Sequence, residues 1–316
     1  MASIIVVPLN NGITPTNGAT LVGMLTLNAG VSPAYLYYDT QGDIYYQIDA
    51  ATPSTLLLSA GFAITCVDFI FDGTVFNIFM GGSGGNYIWG SIDPTGISTL
   101  APLNYGSTNF TAVTFNVMLW CFIVGTVEGN ILNVDLTTGS FTPVAALPTT
   151  GLPSGSTLKV SNFKYDLTTD AYLITCVAST NINPDYADPV DIAAKALTNF
   201  SVVFYGKLDN LVSQPFQGSN LPFGAIGTVE NSLGAKVTKL VVAGEDCKIF
   251  HSDTGTSWER TILVDQALQI NSLTFNTWVF VGGLIYGIVL MSTNGISWES
   301  SYDAQLSSDI LDVKAA

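Results

Sequence analysis

Short apolar runs rich in Val, Ile, Phe, Tyr and Thr recur along the whole chain, separated by clusters of Gly, Asn, Asp and Pro. Such runs and clusters are typical of β-strands joined by tight turns. The 3.6-residue periodicity of amphipathic helices is nearly absent. One exception follows Pro189, where residues 190–197 predict a short helix capped by Asp188. The pattern therefore predicts an almost wholly β chain.

One unit of four strands recurs in this pattern, and its second strand is the easiest part to align. The predicted second strands are 34–38, 76–80, 119–124, 171–175, 239–243 and 278–281. Most of their starts lie roughly 40 residues apart, which is the spacing of the blades of a β-propeller. The sequence therefore predicts an all-β propeller of about six four-stranded blades, with seven as the alternative count.

The ends of the chain and the fourth unit refine this prediction. The fourth unit is longer than the others and predicts an insertion at about 179–199, within a single propeller domain spanning 1–316. Residues 308–313 resemble a first strand with no blade after it. We expect this C-terminal strand to complete the first blade and close the ring. The alternative is that residues 20–27 supply that strand.

The charge balance excludes several classes of function. The chain has 24 acidic and 9 basic residues, for a formal charge of −15. This negative field repels phosphate backbones and anionic headgroups, so binding to nucleic acid or to a membrane surface is disfavoured. Arg260 is the only arginine and His251 the only histidine. Sites that need an arginine cluster or several histidine ligands therefore cannot be built.

No targeting or membrane-spanning segment is predicted, so the location stays open between a virion and the cytoplasm. No basic residue precedes the apolar stretch 4–7, unlike in a secretory signal. The apolar stretch 113–127 is shorter than the ~20 residues of a spanning helix. The four cysteines are far apart, and we expect buried free thiols, although a disulfide stays open. They are Cys66, Cys121, Cys176 and Cys247.

Two turns near the C-terminus, 251–258 and 291–298, align without gaps and share Ser, Gly, Ser and Trp. Both resemble the Asp-box, the S-x-D-x-G-x-T-W hairpin turn of sialidase-like (BNR) β-propellers. His251 and Met291 replace the first Ser of that pattern, and Thr293 replaces its Asp. The resemblance implies a structural motif on the outer face of a blade. The residues assigned to it are Ser252, Asp253, Gly255, Ser257, Trp258, Ser292, Gly295, Ser297 and Trp298.

In such a turn, a short acidic or amide side chain accepts hydrogen bonds from the N–H groups of its own loop, as we expect for Asp253. Gly permits a positive φ, and the Trp packs into the blade. The sialidases that the motif resembles clamp an acidic sugar with three arginines, which this chain cannot do. The resemblance therefore indicates architecture and leaves function open.

Enzyme chemistry has few candidate residues. A glycosidase needs only two carboxylates a few ångströms apart, and Glu245 and Asp246 lie in a turn that could face one end of the ring. A solvated turn is the simpler interpretation. The five glutamates are Glu128, Glu230, Glu245, Glu259 and Glu299. His251 could act as a general base, but it stands at a motif position, which favours a structural role. We predict no catalytic residue.

Ligand sites are equally sparse. Acidic turns at 39–43 and 185–191 could bind calcium, but neither has the spacing of an EF-hand loop, so no metal and no cofactor are predicted. Exposed aromatic rings could stack on glycans or anchor protein partners. The candidates are Tyr45, Tyr87 and Trp89, although strand alternation places about half of such residues in the core.

These observations favour a non-enzymatic structural or interaction propeller. Our leading prediction is a virion or phage component, such as a decoration, tail or host-attachment protein, because a surface poor in long charged side chains packs against neighbours at little entropic cost. Its partners would be other proteins or further copies of itself. The alternatives are a glycoside-acting enzyme, a lectin-like carbohydrate-binding propeller and an intracellular assembly factor.

Overall fold

All regular structure among the described residues is β-strand. The computed structural model describes residues 20–25, 34–39, 41–47, 55–93, 98–150, 152, 156–180, 199–216, 219–231, 233–244, 248–261, 269–276, 278–284 and 288–302. The predicted helix at 190–197, most of the predicted insertion and the C-terminal segment 308–313 lie outside these ranges.

The strands of the first three sheets follow one another along the chain without crossovers. The first sheet contains β1 (Thr20–Leu25), β2 (Ala34–Tyr38), β3 (Asp43–Gln47) and β4 (Thr55–Ser59). The second contains β5 (Ile64–Phe71), β6 (Phe76–Gly82), β7 (Asn86–Ile92) and β8 (Ala101–Asn104). The third contains β9 (Phe110–Asn116), β10 (Cys121–Thr126), β11 (Asn130–Asp135) and β12 (Phe141–Ala146).

The remaining three sheets repeat this order. The fourth contains β13 (Ser156–Asp166), β14 (Ala171–Thr180), β15 (Asn199–Lys207) and β16 (Asn210–Phe216). The fifth contains β17 (Phe223–Glu230), β18 (Lys236–Ala243), β19 (Ile249–Ser252) and β20 (Glu259–Thr261). The sixth contains β21 (Ile270–Asn276), β22 (Val279–Leu284), β23 (Ile288–Ser292) and β24 (Glu299–Tyr302). The prediction of six four-stranded sheets is confirmed.

Residues 20–25 supply one of the four strands of the first sheet, as β1. β1 pairs antiparallel with β2, from Thr20 opposite Tyr38 to Leu25 opposite Ala34. Closing a hairpin between neighbouring segments costs less chain entropy than pairing the two ends of a long chain. The strand order agrees with the alternative in which residues 20–27 supply this strand, and the C-terminal segment 308–313 lies outside the described residues.

Two predicted second strands begin later than expected. β10 begins at Cys121 and β22 at Val279, so Leu119, Trp120 and Trp278 lie in turns. Trp120 has a φ of 52°, a left-handed conformation that cannot continue a strand. These apolar residues were assigned to strands because hydrophobicity alone does not separate a strand from an apolar turn.

The structure divides into two compact units, 1–124 with 132–142 and 316, and 125–131 with 143–315. In the first unit, the second sheet is buried on both faces. Ile78 and Met80 on β6 pack into a cluster with Leu36 of the first sheet. Phe79, between them in sequence, packs with Phe110 of the third sheet. Alternate side chains of a strand point to opposite faces, so the run 78–80 of β6 is apolar on both faces.

The second unit is built in the same way. On β18, Val241 belongs to a cluster with Phe280 of the sixth sheet. Its neighbour Val242 belongs to a cluster with Leu173 and Val203 of the fourth sheet. The second and fifth sheets therefore each pack against a neighbouring sheet on both faces. This explains how a chain with only 10% charged residues buries its apolar side chains.

Three cysteines confirm the expected buried free thiols, and Cys247 lies outside the described residues. Burial raises the pKa of Cys66 to about 12 and that of Cys121 to about 11. It raises the pKa of the Cys176 thiol as well. All three thiols are protonated at neutral pH and act as small core residues.

The outer strands resist pairing with other chains. Pro102, Pro143 and Pro215 lie in β8, β12 and β16, the fourth strands of their sheets. A proline has no N–H to donate to a new partner strand, so it is tolerated at a sheet edge and blocks further pairing there. An interaction through these three edges is therefore disfavoured.

Glycines in the turns between third and fourth strands allow each turn to pack on the preceding sheet. Gly255 has a φ of +75°, and an added Cβ would overlap the ring of Tyr205 on the fourth sheet. Gly295 has a φ of +71°, and its Cβ would lie 2.8 Å from Cγ of Lys239 on the fifth sheet. Both positions therefore need glycine for its backbone conformation and for close approach.

We predict that Gly255→Ala lowers the free energy of unfolding by about 2–4 kcal/mol, because it adds left-handed strain to overlap with Tyr205. Gly234→Ala is the matched control, since Gly234 also has a φ of +75° but no atom within 4 Å of an added Cβ. It should cost only about 1 kcal/mol. Urea unfolding measures both values, and equal losses would contradict the packing role.

Candidate interaction surface

The turn between the first and second strands of a sheet, called here the first-hairpin turn, is capped by an Asp or Asn side chain in the second to fifth sheets. In the third sheet, Asn116 Oδ1 accepts hydrogen bonds from the N–H groups of Met118 (2.8 Å) and Leu119 (2.9 Å). In the second sheet, Asp72 accepts from the N–H groups of Thr74 and Val75. In the fourth, Asp166 accepts from the N–H of Thr168, and in the fifth, Asn231 accepts from the N–H groups of Leu233 and Ala235. These side chains hold the turn backbone in one conformation.

The first-hairpin turns also carry the most exposed large apolar side chains of the described residues. The five highest exposures are Leu233 at 89%, Trp278 at 72%, Met118 at 66%, Leu119 at 62% and Leu167 at 57%. They come from four different sheets, yet all lie at the corresponding end of their own sheet. Single exposed apolar residues are ordinary, but a repeated position marks a candidate binding surface.

The first-hairpin turn of the third sheet is the most apolar of these turns. Val117, Met118, Leu119 and Trp120 are consecutive and all exposed. Trp120 adopts a left-handed φ of 52° and contacts the ring of Phe115 edge-on, with centroids 5.2 Å apart. A bulky residue in this conformation is strained, and such strain clusters at functional sites.

The first-hairpin turn of the fourth sheet is a more polar counterpart, with a left-handed residue at the same position. Asp166 caps it, Leu167, Thr168 and Thr169 follow, and Asp170 has a φ of 50° where Trp120 has 52°. Asp tolerates the left-handed region far better than Trp. The fold therefore accepts a polar sequence in this turn. Aligning residues 117–120 with 167–170 would have indicated from the sequence that both segments are turns.

The two motif turns share one geometry, which corrects the expected role of Asp253. Ser252 Oγ accepts hydrogen bonds from the N–H groups of Thr254 (3.1 Å) and Gly255 (2.8 Å). Asp253 instead forms an ion pair with Lys239 Nζ. Ser252 is buried, whereas the Asp253 side chain points outward from the end of β19. The inward-facing Ser can therefore reach the turn backbone, and the Asp bridges to β18.

The second motif turn repeats this arrangement. Ser292 Oγ accepts from the N–H groups of Asn294 (3.4 Å) and Gly295 (2.8 Å). Asn294 Oδ1 accepts from the N–H groups of Ile296 and Ser297, both at 2.8 Å. An amide side chain therefore caps this copy, in which Thr stands at the expected Asp position.

Both motif tryptophans anchor their turns. Trp258 Nε1 donates to Gly255 O at 2.9 Å, and its ring packs edge-on against Phe216 with centroids 5.7 Å apart. Trp298 Nε1 donates to Gly295 O at 3.2 Å, and its ring lies 6.3 Å from that of Phe280. The remaining motif residues Ser257 and Ser297 are exposed.

The candidate catalytic groups are not brought together in the described residues. His251 is buried, and its pKa is lowered first by that burial and then by the nearby Lys239 charge, so the imidazole is neutral at pH 7. The four described glutamates are all exposed: Glu128, Glu230, Glu259 and Glu299. Glu245 and Asp246 lie outside the described residues.

The predicted binding aromatics are only partly available. Tyr87 is buried, packs edge-on against Phe141 at 4.9 Å and donates from its hydroxyl to Gly139 O, which corrects its assignment as a binding residue. Trp89 is half-buried because Gly139 lies against its ring. Tyr45 is also half-buried and stacks on Tyr37.

In the acidic turn 39–43, backbone N–H groups occupy an oxygen of Asp39. Asp39 is buried, and its Oδ1 accepts hydrogen bonds from the N–H groups of Gln41 and Asp43, both at 2.9 Å. Within the described ranges, no group of three His, Cys, Asp or Glu side chains could hold a metal ion. The same ranges contain no helix with the length and apolarity needed to cross a bilayer. The second acidic turn, 185–191, lies outside them.

Known structures share the fold of this chain. It is similar to the WD40 repeats of RRP9 (9% identity, TM-score 0.56, covering 93% of this chain and 86% of that one). It is similar to U3-55K, with 9% identity and a TM-score of 0.56 over 93% of this chain and 87% of that one. It is also similar to YCF48 bound to a D1 peptide, with 14% identity and a TM-score of 0.53 over 92% of this chain and 84% of that one. No protein-family model and no curated protein matches the sequence. With its six four-stranded sheets, the chain is a six-bladed β-propeller.

We predict that Ser252→Ala lowers the free energy of unfolding by about 1–2 kcal/mol, because it leaves the N–H groups of Thr254 and Gly255 without their acceptor. Ser257→Ala, in the same turn but exposed, should change it by less than about 0.5 kcal/mol. Chemical unfolding of the two variants measures the difference. An equal effect of both substitutions would refute the capping role of Ser252.

Proposed function

We propose that this chain is a non-enzymatic protein-interaction propeller whose first-hairpin turns are sites of contact with protein partners. The observation that carries the proposal is the position of the five most exposed large apolar side chains, all of which lie in these turns. Buried apolar and aromatic anchors supply most of the binding energy of protein interfaces. Trp and Met are enriched in such interfaces, and Trp278 and Met118 are two of the five.

The turns are suited to binding because they are already ordered. Asn116, Asp166 and Asn231 fix the backbone beneath the exposed side chains by hydrogen bonds within each turn. A binding surface that is ordered before contact loses little conformational entropy on association. YCF48, one of the similar propellers, was solved with a bound peptide, which supports a peptide or protein partner here as well.

Binding is favoured over catalysis and over glycan recognition. The described glutamates are exposed, and the single histidine is buried and neutral, so neither offers a paired acid and base. Two of the three candidate sugar-stacking rings, Tyr87 and Trp89, contact Gly139. We therefore do not extend the proposal to carbohydrates.

The finer proposal is a virion or phage component. It is supported by the composition, since only 10% of residues are charged and such a surface loses little side-chain entropy when packed against repeated neighbours. Proteomic analysis of purified particles from the native source tests it. Recovery of the chain at a fixed stoichiometry supports the virion role, and its absence from the particles rejects that role while leaving the interaction role intact.

Site-specific photo-cross-linking tests the interaction role. We predict that benzoylphenylalanine at position 118 or 233 forms a discrete adduct in an extract of the native source. The matched control is position 83, an exposed residue in the turn between β6 and β7, at the other end of its sheet. Excess unlabelled wild-type chain should abolish the adduct.

A competitor in which residues 117–120 carry Leu-Thr-Thr-Asp, the sequence of 167–170, should not abolish the adduct at position 118. Equal adducts from position 83, equal competition by both chains, or no adduct at either test position would reject the proposal.

A further inference from the structure

The first half of the chain has no cationic side chain. Residues 1–158 contain no Lys, Arg or His, and all nine Lys and Arg residues lie at position 159 or later. The same stretch contains eight carboxylates. They are Asp39, Asp43, Asp49, Asp68, Asp72, Asp93, Glu128 and Asp135. The first unit, made of 1–124 with 132–142 and 316, therefore presents only apolar, neutral polar and anionic side chains to a partner.

Two of these carboxylates lie at the end of their sheet that corresponds to the end of the third sheet where the apolar turn 117–120 lies. Asp72 begins the first-hairpin turn of the second sheet, and Asp135 begins the turn between β11 and β12. In an antiparallel sheet of consecutive strands, the first and third turns lie at the same end. Both carboxylates are exposed. The surface around the turn therefore combines apolar and negatively charged groups.

Both carboxylates stay ionised over the physiological pH range. Hydrogen bonds from the Val75 N–H and the Thr74 hydroxyl hold the pKa of Asp72 well below its usual range. The N–H and hydroxyl of Thr138 likewise lower the pKa of Asp135. Their negative charge is therefore a fixed feature of this end of the first unit.

We propose that the turn 117–120 docks a cationic protein segment, one that places apolar side chains against Met118, Leu119 and Trp120 and flanks them with Lys or Arg. The inference rests on the proposed function and identifies the chemistry of its partner. Apolar contact supplies the affinity, while opposite charge raises the association rate and selects the partner. An anionic partner would be repelled by the charges of Asp72 and Asp135 in the same unit.

A second copy of the chain fits this surface less well. Residues 159–316 hold the 9 basic residues and 24 − 8 = 16 acidic ones, a formal charge of 9 − 16 = −7. Neither half of the chain is therefore positively charged overall, and self-association gains no charge complementarity. Nucleic acid is disfavoured by the same field.

The strained Trp120 is consistent with selection for binding. A left-handed conformation costs an ordinary residue roughly 1–2 kcal/mol, and Asp170 shows which residue type the same backbone accepts at lower cost. Trp120 extends the apolar row of the turn by one residue, and its ring rests on Phe115. The cost of this strained conformation is therefore accompanied by additional apolar surface that a partner could contact.

Three fluorescent peptides of one length test the inference: an amphipathic leucine–lysine helix and its leucine–glutamine and leucine–glutamate counterparts. We expect the lysine peptide to bind the wild-type chain at least tenfold more tightly than the glutamine peptide in fluorescence anisotropy. Binding should weaken as salt rises, since exposed charges are screened. The glutamate peptide should not bind.

Two variants separate the turn from the general acidity of the chain. The first carries Leu-Thr-Thr-Asp at 117–120, and the second is Met118→Ser, a milder change at an exposed side chain. The four-residue variant gains a negative charge, so binding by charge alone would become tighter. The proposal predicts at least tenfold weaker binding of the lysine peptide to it, and weaker binding to Met118→Ser.

The outcomes distinguish this inference from the proposed function. Equal binding of lysine and glutamine peptides, lost in both variants, rejects the cationic partner and leaves the interaction role standing. Lysine-peptide binding that both variants retain, or no binding of any peptide, also overturns the inference. A wild-type dimer in analytical ultracentrifugation that the variants lose would replace the cationic segment with a second copy.

Discussion

The second and fifth four-stranded sheets each have two apolar faces, and each face is covered by a different neighbouring sheet. Ile78 and Met80 point from β6 into one cluster while Phe79 points into another, and Val241 and Val242 divide in the same way on β18. A second strand is therefore apolar at consecutive positions where neighbouring sheets cover both of its faces. The mutual burial of consecutive sheets is the constraint on which the rest of the structure depends.

The turns connect the strands of these packed sheets but bury few apolar side chains themselves. They are held by hydrogen bonds that their own backbone N–H groups donate to side-chain oxygens, and by glycines where a turn lies against the preceding sheet; the acceptors are Asp72, Asn116, Asp166, Ser252 and Ser292. Since the turn 167–170 closes a first hairpin with Leu167 as its one apolar residue, three further apolar side chains, as at 118–120, are not required for closure. Their exposure then points to contact with another molecule.

The sequence was sufficient to predict the repeated features. Six second strands, the two motif turns and the buried thiols all follow from apolar runs and turn residues that recur in one order. All six second-strand starts agree with the structure to within three residues, and those at 34, 76 and 171 agree to the residue. Trp258 and Trp298 also anchor their turns through the same bond to a glycine carbonyl, as their shared spacing implied.

Other features could not be predicted because they depend on backbone conformation or on contacts between sheets. Leu119, Trp120 and Trp278 are as apolar as strand residues. The positive φ of Trp120 places it in the turn and not in the strand, and this conformation cannot be read from hydrophobicity. Asp253 matched a motif position, but Lys239 on β18 lies within reach of it. Tyr87 lost its predicted binding role because Phe141 and Gly139 of the third sheet cover it.

The central claim is that residues 117–120 serve recognition and not folding, and the free energy of unfolding of the chain carrying Leu-Thr-Thr-Asp at these positions tests it most directly. Relief of the strain at Trp120 contributes about 1–2 kcal/mol, and loss of its contact with Phe115 costs about 0.5–1.5 kcal/mol. The account predicts a free energy of unfolding within about 1 kcal/mol of the wild-type value, with an unchanged urea dependence. A loss of more than about 2 kcal/mol would show that these side chains stabilise the fold, and would contradict it.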